Sequence, residues 1–83
     1  KKQKALQIYD KLWKNSEQYA KWYLSLSDRG FSMSQNDCFM QFQMMMSIMQ
    51  AVDEIDTKWV DKHEPIAKKL IETYQAKGGN MPE

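Results

Sequence analysis

Three stretches of this 83-residue chain hold residue types that do chemistry. The single histidine stands in HEPIA, residues 63–67, which opens as a zinc-protease helix opens. Such a helix needs a second histidine four positions on, so that two imidazoles share one face, and Ala67 stands there instead. DEIDTKWVDKHE, residues 53–64, has Asp first and Glu twelfth like a calcium loop. Ile55 and Thr57 fill its ligand positions, however, and Lys58 replaces the glycine that lets such a loop turn. Asp53, Glu54 and Asp56 form a carboxylate cluster suited to acid–base or metal work, but no other polar groups converge on it, and it reads as a solvated helix end. His63 reads as a surface or capping residue rather than a base. There is no glycine-rich phosphate loop, no cysteine pair and no Ser or Cys with a histidine placed to activate it. The expectation is a protein that is not an enzyme and that uses neither metal nor cofactor.

Two further patterns carry weaker chemistry. FMQFQMMMSIMQ, residues 39–50, holds five of the seven methionines, and thioethers beside Cys38 suit a soft metal such as copper(I). Met45 and Met49 share a face with Phe42, though, and Met is a common gap-filler in cores, so packing is the simpler account. Lys4, Lys11, Lys14 and Lys21 form a basic stripe with Trp22 at its edge, able to follow a phosphate backbone. With one arginine in the chain, the side chain that most often reads bases is nearly absent, and a solvated lysine face is expected. Tyr9, Tyr19, Tyr23, Trp13, Trp22, Phe39 and Phe42 are the residues that would line a pocket for a flat apolar ligand, although core packing explains them more simply.

The elements that position these residues follow from composition and period. Three glycines and two prolines in 83 residues leave few turns, hence few and long elements in one domain. One cysteine forms no internal disulfide, which fits a reducing compartment, cytoplasmic or nuclear. No apolar run nears the roughly 18 residues of a membrane span, so no membrane association is expected. A start at KKQK and an end at GGNMPE suggest a segment of a longer protein: a helical domain over 1–77 and a Gly-rich tail or linker over 78–83. The net charge of +1 hides a gradient: residues 1–27 carry six lysines against Asp10 and Glu17, and residues 28–56 carry Arg29 against five acids.

Positions 5, 9, 12, 16, 19, 23 and 26 alternate by four and three, broken in polarity only at Ser16, and predict a helix over 3–27 stopped by Gly30. Capping-box patterns at Ser32/Gln35 or Ser34/Asp37 open a second helix over 35–60, with Cys38, Phe42, Met45, Met49 and Val52 on the matching face. Antiparallel pairing then sets 23 against 38, 16 against 45, 12 against 49 and 9 against 52, and brings Asp56 to Lys2 and Lys4. A third, shorter helix over 65–77 has Pro65 in its first turn and Gly78 as its stop. The predicted fold is all-α, a three-helix bundle with a long antiparallel hairpin closed by the shorter helix.

The methionine-rich helix is apolar on more sides than this arrangement covers. Met40, Met44, Ile48, Ala51 and Ile55 flank the face turned to helix 1, and a closing helix of about three turns leaves them partly bare. The expected function is therefore a protein–protein interaction or oligomerisation module, a homodimer or a docking domain, working through that flank. The alternative is a small regulatory domain that binds an apolar ligand or nucleic acid.

Overall fold

The computed structural model describes residues 2–80, which form four helices and no strand: α1 (Lys2–Ser25), α2 (Asp28–Met33), α3 (Gln35–Asp53) and α4 (Thr57–Ala76). The all-α bundle with a long helical hairpin is the observed architecture. α1 and α3 form the antiparallel hairpin, and α4 returns alongside both. Its start meets α1, where Trp59 and His63 pack on Trp13, and its end meets Phe31 and Phe42 through Tyr74. Aromatic contacts therefore pin both ends of the closing helix, edge-on geometry matching the ring quadrupoles.

Several boundaries differ from those predicted, each for a local reason. Ser27 caps α2, its hydroxyl accepting from the Gly30 amide, so Gly30 lies inside a helical turn rather than ending α1 in a left-handed conformation. Ser34 precedes α3 without a side-chain capping bond, so neither capping box forms. α3 stops at Asp53, and the chain turns through Glu54 and Ile55, where the amides of Ile55 and Asp56 both donate to the Val52 carbonyl. Asp56 is extended and its carboxylate accepts from the Lys58 amide, which makes it the N-cap of α4 rather than a partner of Lys2 and Lys4. The third long helix thus begins at Thr57 and runs 20 residues, with Pro65 in its interior. Pro65 and Asp61, whose carbonyl loses its helical donor, are both exposed, which keeps the interruption on the solvent side of α4. Gly78 does end α4, at φ 95°.

The larger correction concerns α1. Its buried row is Trp13, Ser16 and Ala20, with Leu6, Tyr9, Tyr23 and Leu24 packed against the core, whereas Leu12 is 41% and Tyr19 55% exposed. The predicted face was centred on α3 alone. α1 packs against α3 and α4 together, so the helix is turned until Trp13 rather than Leu12 points between them. Ser16 and Ala20 let the α1 and α3 backbones approach closely. On α3 the expected row of Cys38, Phe42, Met45, Met49 and Val52 is buried as predicted.

After α4 the chain folds back on itself. The Tyr74 hydroxyl donates to the Asn80 carbonyl at 3.0 Å, and the Gly79 amide to the Tyr74 carbonyl at 2.9 Å. Gly79 lies so close to the Tyr74 ring that an added Cβ would stand 2.5 Å from it. Lys77 reaches across to the Leu26 carbonyl and sits 5.3 Å over the Phe31 ring. Of the predicted tail 78–83, residues 78–80 make these contacts, and 81–83 lie outside the described residues.

Candidate functional site

The residues that suggested chemistry are dispersed or occupied. His63 stacks on Trp59 with centroids 3.7 Å apart, and its Nδ1–H donates to the Trp59 carbonyl at 2.7 Å, since a carbonyl can only accept. That leaves the ring as part of the packing around Trp13. Asp56 is spent on the α4 cap, and among the described residues no cluster of His, Cys, Asp and Glu is arranged to hold a metal. Cys38 is fully buried, and burial pushes its thiol up to about 11, far from the thiolate a soft metal takes.

The lysine stripe is partly used within its own helix. Lys14 pairs with Asp10 at 3.3 Å and Lys21 with Glu17 at 2.9 Å. Burial acts to raise the Glu17 carboxyl, but hydrogen bonds from Lys21 and Trp13 and the charges of Lys21 and His63 outweigh it, and the net shift is downward. The Trp13 indole, buried in the core, thus has its N–H satisfied by Glu17 at 2.9 Å. The aromatic residues do not enclose one cavity either: Trp13 and Phe42 are core, while Tyr19 and Trp22 line a shallow depression outside α1. A groove of about 420 Å³ does lie between α3 and α4, lined by Met46, Met49, Val60 and Ile71 among others.

What the hairpin leaves open is a face. Ile8, Leu12, Tyr19 and Trp22 on α1, and Met40 and Met44 on α3, are large apolar side chains in contact with solvent. At about 100° per residue, the α1 set lies to one side of the row that meets α3, and Trp13, Glu17 and Lys21 lie to the other, toward α4. On α3, Met40, Met44 and Ala51 fall on one side of the buried row and Met46, which lines the groove with α4, on the other. Because the helices are antiparallel, both sets emerge on the same side of the hairpin, opposite α4.

No family model, no curated protein and no solved structure matches this chain. The face must therefore be judged on its own residues. Of the predicted flank, Met40 and Met44 are exposed, and Ala51 and Ile55 are half-buried. Ile48 is 2% exposed and belongs to the core: it projects close to Val52 and Met45, on the half of α3 turned to α1. The predicted flank includes it because the face turned to α1 is drawn there as the single row of Cys38, Phe42, Met45, Met49 and Val52, and the closing helix as about three turns long. The α1 half of the open face was missed altogether, since Leu12 and Tyr19 had been assigned inward. A signal for it is present in the sequence: positions 8, 12, 15, 19 and 22 keep helical spacing with only Asn15 polar, a second stripe beside the first.

Proposed function

We propose that this chain is a non-catalytic helical interaction module that works through the open face of the α1–α3 hairpin. The observation that carries the proposal is the joining of two apolar strips, from α1 and α3, on the one side of the hairpin that α4 leaves uncovered. Large contiguous apolar patches are uncommon on proteins that act alone in water, and commonly mark contact surfaces. Thioethers and aromatic rings suit such a contact, adapting in shape and burying much area for few torsions.

The double substitution Leu12→Lys with Met44→Lys tests it. Both positions reach solvent, so helix content by circular dichroism and the thermal midpoint are expected to stay near those of the parent chain. Association, read by light scattering, is expected to be lost. Unfolding by this pair would return the face to the core and end the proposal. The pair Met44→Lys with Ile48→Lys serves as the contrast, since charging buried Ile48 should unfold the domain.

A further inference from the structure

We propose that the open face is covered by a second copy of this chain, related by a two-fold axis parallel to the hairpin, so that α1 of each copy lies over α3 of the other. The inference rests on the interaction-module reading and adds its occupant and geometry. It is carried by charge, register and area.

Charge separates two ways of stacking the faces. Toward the open face α1 carries Lys4 and Lys11, whereas α3 carries Asp37 and is followed by Glu54; Lys14 and Lys21 are paired with Asp10 and Glu17, and Asp53 lines the groove with α4. A two-fold axis across the hairpin lays α1 on α1 and α3 on α3, like charge on like. An axis along the hairpin lays the basic helix on the acidic one twice, and makes every neighbouring pair antiparallel, as in an up-down four-helix bundle.

Register agrees with the second arrangement. α1 (Lys2–Ser25) and α3 (Gln35–Asp53) are antiparallel and joined through the short α2, which sets the end of α1 level with the start of α3, and Tyr23 feels the charges of Asp37 and Cys38 there. An axis parallel to the helices preserves those levels between copies. By helical projection the outer margin of the face is Lys4, Lys11, Asn15, Gln18 and Trp22 on α1, and Met40, Gln43 and Ser47 on α3, continued by the C-cap residue Glu54, whose backbone is still helical, all exposed. Across the interface Trp22 then meets Met40, Gln18 meets Gln43, Asn15 meets Ser47, and Glu54 comes between Lys4 and Lys11. An aromatic ring meets a thioether, amides and a hydroxyl meet groups that hydrogen-bond to them, and the carboxylate meets two ammonium groups. Inside this margin Leu12, Tyr19 and Met44 form the shared centre.

The area suffices. A face about 28 Å long and about 20 Å wide covers roughly 560 Å² in projection, and its side-chain relief brings it toward the roughly 800 Å² per partner of a standard interface.

Sedimentation equilibrium of the whole chain is expected to give a dimer in the micromolar range. Lys11→Glu and Glu54→Lys should each weaken it by about tenfold, and the two together should restore it, because these residues sit on opposite edges of one copy and meet only between copies. A chain monomeric at several hundred micromolar overturns the second-copy inference while leaving the face for another protein. A dimer indifferent to either reversal, or not restored by the pair, overturns the α1-over-α3 geometry. Unfolding of the Leu12→Lys, Met44→Lys variant removes the underlying reading as well.

Discussion

Leu12 and Trp13 are neighbours in sequence and opposites in role. Trp13 is 1% exposed, edge-on to Trp59 and His63, with its indole nitrogen bonded to Glu17. Leu12 stands on the open face. Trp13→Ala removes a large ring from the core and is expected to cost about 3–5 kcal/mol in a urea titration. Leu12→Ala removes a half-solvated side chain and should cost under about 1 kcal/mol in the monomer. Equal losses would mean that the helix is turned otherwise than described.

At the scale of elements, the boundary between α3 and α4 decides the fold, and one side chain marks it. Asp56 bonds the Lys58 amide and so starts α4, within a helical spacing that runs on from α3 to Trp59. Asp56→Ala should lower stability by about 1 kcal/mol, with Asn at the same position retaining most of it, as measured by thermal unfolding. The sequence made the three long helices legible, because apolar spacing persists through each of them, whereas α2, six residues long, is too short to show a period and is absent from the predicted three-helix bundle. It also showed the inner row of α3, whose Cys38, Phe42, Met45, Met49 and Val52 are buried. The helix break at Asp56 was not legible, since Val52, Asp56 and Trp59 keep helical spacing across it, and an aspartate on that row suits an ion pair as well as a cap. The rotation of α1 was hidden for a different reason. Periodicity reports that a face is apolar, and α1 has two apolar stripes side by side, so only the position of α4 decides which is inside. The same ambiguity concealed half of the candidate site.

For the whole molecule, the ionisable groups held inside set a limit at high pH. Burial raises the Cys38 thiol from 9.0 to about 11, and burial first, with nearby charges, raises Tyr23 and Tyr74 as well. Below pH 9 the thiol is protonated folded and unfolded, and its contribution to stability is complete. Between 9 and 11 the unfolded chain ionises while the native one does not, so stability falls as pH rises, by on the order of 2 kcal/mol across that window. The urea midpoint is therefore expected to drop between pH 8 and pH 10.5, and to drop less in Cys38→Ala. A midpoint independent of pH over that range would show that the thiol is open to water.

The closing contacts of Tyr74 also impose an order on synthesis. Phe31 and Phe42 are made long before the ring that covers them, and the bonds between Tyr74 and residues 79–80 come later still. At about 5–20 residues per second the chain from Thr57 to Asn80 takes about 1–5 s to translate. For that time the nascent hairpin is a two-sided apolar slab, and α4 will conceal one side only. The side it never conceals is available from the moment α1 and α3 pair, so two neighbouring nascent chains can meet there before either has finished folding.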